Sequence, residues 1–439
     1  MSTRPTVAPP KPWAFPVPER FHLPNGLRVL LYHRPGQKVI STRVVVPVPL
    51  SAEPRSVEGV ATIVSRTLDE GTTAHSADEL AELLERHGVA YGASFGQNGL
   101  TLDTESTARG LHLGWELLTE FLSQPAFDEN EVNRHVRQRI AEIDHQLANP
   151  GSRAALEWVK TYYTPQSRAS RPTAGSAESV GAITPDHCRD FYRYLSPQEA
   201  TLILAGDLDD PREALTSTFG AWSPSSVPAP STPDELAADR ARIVFVDRPG
   251  SVQTELYVGQ AGPARNVPWA PYPVLGFVLG GAPTARIDAV LREEKGYTYG
   301  IRAGFRPRKD DGTFLVSGSV RADVTADALD LLLGILDGAT EFSADEVRHG
   351  ADYVARTAPG RYATADVVAD EAAGLALFGL GTDYVTDYLA QLPTLTADEV
   401  GAAWSLWRDT PRSIVLVGDA TEHAAAVEAL GRGSVTVVN

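Results

Sequence analysis

Four short strings occur twice in this chain, in the same order. RPG at 34–36 returns at 248–250, and GVAYG at 88–92 returns as GYTYG at 296–300. FDENEV at 127–132 returns as FSADEV at 342–347, and LILAGD at 202–207 returns as IVLVGD at 414–419. The separations are 214, 208, 215 and 212 residues. One such string carries little weight; four collinear strings at nearly constant spacing mark a duplication. The chain of 439 residues therefore divides into two homologous halves, 21–222 and 241–439. The connector at 223–240 opens on SPSSVPAPSTPDEL, whose proline and serine content is that of a linker. Residues 1–20 form a proline-rich arm expected to be extended or disordered.

Within a half, strands and helices alternate irregularly. LRVLLYH at 27–33 and TRVVVPVPL at 42–50 read as strands on either side of a PG turn. Val57, Val60, Ala61, Val64 and Leu68 recur at helical spacing. SADELAELLERHG begins with a capping box, Ser76 with Glu79, and stops at Gly88. AYGASFGQNGLTLDTES reads as paired strands, two helices follow near 108–122 and 128–148, and TLILAGD closes the half as a buried strand. The fold class expected is α+β: a two-layer α/β sandwich occurring twice.

Composition limits the functions open to such a chain. A net charge of -17 argues against nucleic acid and anionic membrane as partners, since both are bound through basic patches. The single cysteine, Cys188, excludes internal disulfides and cysteine-based zinc clusters. No run approaches about 18 uninterrupted apolar residues, so no membrane span is expected. The N-terminus lacks an apolar run of signal-peptide length, which makes a cytoplasmic location the expectation. No two of the ten histidines stand three to five residues apart, so no local zinc spacing exists.

The segment GVATIVSRTLDEGT at 59–72 resembles the motif helix of the pitrilysin/insulinase-type zinc peptidases, in the short two-half forms related to mitochondrial processing peptidase. Gly59, Ala61, Leu68, Gly71 and Thr72 match that family's pattern, while its inverted zinc motif H-x-x-E-H falls on Thr62, Ser65 and Arg66. In the motif two histidines on one helical face bind zinc and the glutamate activates the bound water. Threonine is a poor ligand, serine cannot serve as a carboxylate base, and arginine places a permanent cation where a dication would sit. The resemblance puts the family's third ligand at Glu142, here a relic expected to pair with Arg66. No metal is expected in this chain.

The second half contains LGGAPTARIDAVLREEKGYTYGIRAGF at 279–305. It resembles the family's C-terminal segment, in which an arginine and a tyrosine seven positions apart hold the substrate backbone at a zinc site and help stabilise the developing oxyanion. Arg292 and Tyr299 match that spacing, and both are suitable donors to a carbonyl gaining negative charge. The plainer reading of the same residues is a surface arginine ending a helix and a half-buried tyrosine starting a strand. Gly280 and Gly281 read as a tight loop before the motif helix or equally as a helix stop, and the resemblance makes them substrate-binding. Ala282 and Pro283 depart from the family's glycine and methionine there.

The resemblance implies a non-catalytic, substrate-binding subunit of a heterodimeric zinc peptidase. Its partner would be a zinc-carrying relative with an intact H-x-x-E-H motif, and its ligand a peptide added as a strand to a sheet edge. The halves would form one side of a clam shell, burying little between themselves. The alternatives are a structural scaffold subunit, as in respiratory complexes, and a homodimer that binds peptides without cutting them.

Overall fold

Two six-stranded sheets with the same strand order frame the computed structural model, which describes residues 8–223, 225 and 227–439. The first sheet contains β1 (Glu19–His22), β2 (Arg28–His33), β3 (Val39–Val46), β4 (Ala90–Gly96), β5 (Gly99–Thr107) and β6 (Thr201–Gly206), ordered β1-β2-β6-β3-β5-β4. The second contains β7 (Ile243–Asp247), β8 (Gln253–Ala261), β9 (Arg302–Pro307), β10 (Gly312–Arg321), β11 (Ser413–Gly418) and β12 (Val435–Val438), ordered β12-β7-β11-β8-β10-β9. Five strands correspond one to one. β2 runs parallel to β6 with His33 opposite Gly206, as β7 runs parallel to β11 with Asp247 opposite Gly418. The sixth strand differs in origin. β1 comes from the N-terminal arm and pairs antiparallel, whereas β12 comes from the C-terminus and pairs parallel.

The first half's helices are α1 (Val60–Thr67), α2 (Ala77–His87), α3 (Ala108–Ser123), α4 (Glu129–Ala148) and α5 (Pro150–Tyr162). The Ser76–Glu79 capping box starts α2, and Gly88 ends it in the left-handed conformation. Two boundaries depart from the sequence pattern. Pro47 and Pro49 lack the N–H a ladder requires, so β3 stops at Val46. α1 starts at Val60 because Gly59 turns the chain at φ 101°, where a Cβ would meet the Ala174 carbonyl oxygen at 2.9 Å.

The central strands of the two halves are buried on both faces. On β2, Val29 and Leu31 join the first half's helical core, while Leu30 and Tyr32 join a core built largely from the second half. On β11, Ile414 and Leu416 point one way and Val415 and Val417 the other, each into a separate cluster. Such strands read as continuous apolar runs and need cover on both sides. The cover is exchanged between halves. α5, from the first half, packs on β11 and β8; the helix Ala365–Phe378, from the second half, packs on β3 and β6. The expectation that the halves bury little between themselves is therefore overturned.

Side chains from both halves secure the exchange. Arg43 on β3 reaches Asp370 of the exchanged helix at 2.8 Å, and Trp158 of α5 donates to the Ser413 carbonyl at 3.0 Å. The duplicated RPG arginines act alike. Arg34 donates to the Ala363 carbonyl at 3.2 Å and Arg248 to the Ala148 carbonyl at 2.6 Å, each just before the helix supplied by the other half. The described part of the arm adds a strap: Phe15 packs edge-on against Tyr32 of one half and Tyr362 of the other. One helical stretch, Pro271–Glu294, has the length and mean hydropathy of a membrane span. It is interrupted by turn residues at 282–285, and Val274, Leu275, Val278, Leu279, Ile287 and Leu291 are core residues.

Trp158→Ala should cost about 3–5 kcal/mol, the range for deleting a large buried aromatic. Because α5 belongs to one half and its sheet to the other, both halves should melt in one cooperative transition. Denaturant unfolding followed by circular dichroism checks this; two separated transitions in the parent chain would contradict it.

Candidate functional site

α1 lies against α4, and Arg66 reaches across that contact. Ser65 is 2% exposed and donates to the Thr62 carbonyl one turn back at 2.9 Å. Thr62 is also buried. Arg66 extends toward α4 and forms a bidentate pair with Glu142, both bonds at 2.8 Å. Arg139, one turn earlier on α4, donates to the same carboxylate at 3.2 Å. The Arg66 guanidinium, ahead of the other contacts, holds the Glu142 carboxyl below its ordinary range.

These residues do not fit zinc. The site offers one carboxylate, already engaged by two guanidinium groups, with a hydroxyl and a guanidinium in place of the two imidazoles. Among the described residues no group of three His, Cys, Asp or Glu side chains is placed to hold a metal ion.

Glu142→Gln should then be mild. The pair is about one-third exposed, and pairs of that kind are worth no more than about 1 kcal/mol. A carboxyl held low in the folded state stabilises above the ordinary carboxylate pKa, and that contribution disappears as pH falls through the lowered value. The parent should accordingly lose more stability than Glu142→Gln on acidification below about pH 4.3. Parallel unfolding curves for the two proteins from pH 6 to pH 2.5 would show the pair to be inert.

The polar support around α1 was not foreseen from sequence. Glu53 is wholly buried and accepts from the Gly59 and Ala61 amides at 3.0 Å each, holding the start of α1. Its other oxygen accepts from Arg168 at 2.8 Å. Burial nevertheless pushes its carboxyl up, outweighing Arg168 and the two amides. Beyond the end of α1, Glu70 meets His135 at 2.9 Å, and burial raises the Asp69 carboxyl to about 6. The only local signal for Glu53 is an acidic residue a few positions before a helix start.

In the second half, Arg292 lies in the last turn of the helical segment Arg286–Glu294. Tyr299 precedes β9 and is 96% exposed, not half-buried. Arg292 has a single ion-pair neighbour, Glu293 at 3.5 Å. Among the described residues neither side chain makes a hydrogen bond, to the other or to anything else. Asp288 ties their two segments together. It is fully buried on the Arg292 helix, and its Oδ1 accepts from the Ile301 amide, two residues past Tyr299, at 2.8 Å.

Of the two readings of Gly280 and Gly281, the helix stop holds and the loop does not. They close a wide helical turn, Phe277–Gly281, and the loop proper is 282–285. A Cβ on Gly280 would lie 2.6 Å from that of Ala303, so its small size lets β9 approach the helix.

Comparison with known proteins adds two family matches. Residues 28–175 match the family model described as Insulinase (Peptidase family M16), and residues 182–350 the one described as Peptidase M16 inactive domain. An uncharacterized zinc protease of Streptomyces coelicolor is 23% identical over 401 residues, covering 87% of this chain and 85% of the relative. A peptidase M16 inactive domain from Pseudomonas fluorescens superposes with a TM-score of 0.83 at 23% identity, covering 92% of this chain and 98% of that one. A protease from Helicobacter pylori gives 0.84 at 18% identity, covering 92% and 100%. At these identities the structural matches speak for the fold.

Proposed function

This chain belongs to peptidase family M16, and from that membership we propose that it is the zinc-free, substrate-holding subunit of a two-chain peptidase. The observation that carries the reading is the contrast between its two motif sites. At α1 a guanidinium bound bidentately to Glu142 stands where the family motif would place a cationic metal. Before β9, Arg292 and Tyr299 reach solvent and, among the described residues, their side chains have no hydrogen-bond partner. A site that has lost its metal ligands and a donor pair left unengaged are complementary features. The first cannot cut a peptide by itself, and the second has donors available for one bound elsewhere.

In this reading Arg292 and Tyr299 meet the zinc site of a partner that retains H-x-x-E-H. The peptide lies extended beside a sheet edge, where main-chain hydrogen bonds hold it regardless of side chains. β9, next to Tyr299, is such an edge. The arginine and the phenol donate to the carbonyl oxygen as it gains charge, and the partner supplies the metal-activated water. The argument for a partner rests on this exposed pair and not on the halves, which already bury each other through the exchanged helices.

Co-expression with each zinc-bearing relative encoded beside it, followed by size-exclusion chromatography and a peptide-cleavage assay, tests the assignment. The expected result is a stable complex burying on the order of 1,600 Å² or more, active only when both chains are present. A chain that stays monomeric with every such relative would favour the scaffold role instead.

A further inference from the structure

We propose that a second ligand site lies in the other half, at the position that corresponds to the α1–α4 contact, and that it takes the C-terminal aromatic residue of a peptide with its free carboxylate. By order and packing, the helix Pro271–Gly276 with its continuation to Gly281 is the counterpart of α1, and the helix Ala344–Arg361 is the counterpart of α4. Thr357 stands 215 residues after Glu142, the spacing of the repeat. Where the first half closes this contact with an ion pair, the second leaves a pocket of about 440 Å³. That volume lies within the usual range for small-ligand sites.

The lining supplies both parts of the recognition. Phe277 and Tyr353 pack with ring centroids 4.7 Å apart, Trp269 lies beyond them, and Tyr353 is half-exposed. Arg265 is held between Trp269 and Tyr384, its guanidinium carbon 4.7 and 5.0 Å from the two ring centroids. Arg361 stands at the rim and is largely exposed. Both arginines share one carboxylate: Glu371 lies 3.6 Å from Arg265 and 3.7 Å from Arg361. Glu371 also accepts from the Tyr362 hydroxyl at 3.0 Å.

Two cations and one anion leave a positive charge over, on a chain whose net charge is -17. Among the described residues neither guanidinium makes a side-chain hydrogen bond, although each carries five N–H donors. Arg265 is mostly buried but lines the pocket, so its free donors are open to a bound ligand. A carboxylate at the rim satisfies both groups with charge-assisted bonds, while an aromatic side chain fills the space beside Phe277 and Tyr353. This site is independent of the α1 position and of the Arg292–Tyr299 pair, and the isolated chain suffices to test it.

Isothermal titration of the full chain with acetyl-trialanyl-phenylalanine, with its C-terminal amide and with phenylacetate is the experiment. The free acid should bind saturably below about 1 mM, and the amide at least ten-fold more weakly. Arg361→Ala should abolish that preference, and Tyr353→Ala should weaken acid and amide alike. Both variants alter exposed side chains and should fold normally. Equal affinity for acid and amide, no saturable heat up to about 1 mM, or a preference that survives in Arg361→Ala would each overturn the proposal. Phenylacetate binding as tightly as the peptide would overturn the peptide assignment in favour of a small aromatic acid. Failure in any of these arms leaves the zinc-free subunit reading standing.

Discussion

Arg292→Ala and Tyr299→Phe are each expected to slow the proposed two-chain peptidase by about a hundred- to a thousand-fold, with assembly and the zinc content of the proposed partner unchanged. That is the loss typical of removing one donor to a developing oxyanion. Tyr299→Phe removes a hydroxyl that makes no hydrogen bond among the described residues and sits on a side chain 96% exposed, so stability has little to lose. The effect should fall on kcat more than on KM, since the donors matter most when the carbonyl carries negative charge. Asp288 extends the test as a positioning residue. It joins the Arg292 helix to the Ile301 amide, so Asp288→Ala should loosen the pair and cost up to about a hundred-fold. Asp288→Asn still accepts from that amide and should recover most of the activity. Full activity in Arg292→Ala and Tyr299→Phe, with Glu142→Gln inactive, would mean that the working half has been misassigned.

The double replacement Thr62→His with Arg66→His is expected to let the chain bind about one zinc ion, where the parent is expected to bind none. Residues 62 and 66 are one helical turn apart on α1, the spacing at which two imidazoles share a metal. Glu142 already reaches the end of the residue-66 side chain at 2.8 Å, so the third ligand is in place once the guanidinium is gone. Arg139 would remain on the Glu142 carboxylate as its orienting neighbour. Ser65 is left unchanged because it is buried and a glutamate there adds a charge that metal binding does not need. At a free zinc concentration of about a thousand times Kd, the variant should gain about 4 kcal/mol of stability, and the parent none. Elemental analysis and zinc-dependent unfolding decide it. A folded double variant that gains neither metal nor stability would show that the α1–α4 contact has closed beyond what two ligands can reopen.

The duplication, the strand pattern and the loss of the metal ligands were legible in the residues because each is a local or a counted property. Strings that recur at constant separation, apolar residues alternating along a strand, a capping box and a missing histidine all exist before the chain folds. The Arg66–Glu142 pair was within reach too, since a cation replacing a metal beside a surviving carboxylate has an obvious partner. The pocket around Phe277 and Tyr353 was not, because its walls come from segments far apart in the chain that acquire a common surface only through packing. Gly280 stayed open between loop and helix stop for a related reason: glycine marks flexible turns and close approach alike, and only the nearness of Ala303 tells which applies here.

The exchange of helices shows where the division falls. LILAGD and IVLVGD announce strands buried on both faces, because an unbroken apolar run cannot leave a face to water. Nothing in those residues says which helix supplies the cover. Neither α5 nor the apolar helix Ala365–Phe378 carries a local pattern that names the sheet it covers. The choice is made by long-range complementarity, with Trp158 fitting over Gly259 and Arg43 meeting Asp370. Sequence alone thus determined two equivalent α+β halves and the loss of one half's metal ligands. Tertiary structure decided that each half completes the other, because only the assembled surfaces distinguish one buried apolar face from another.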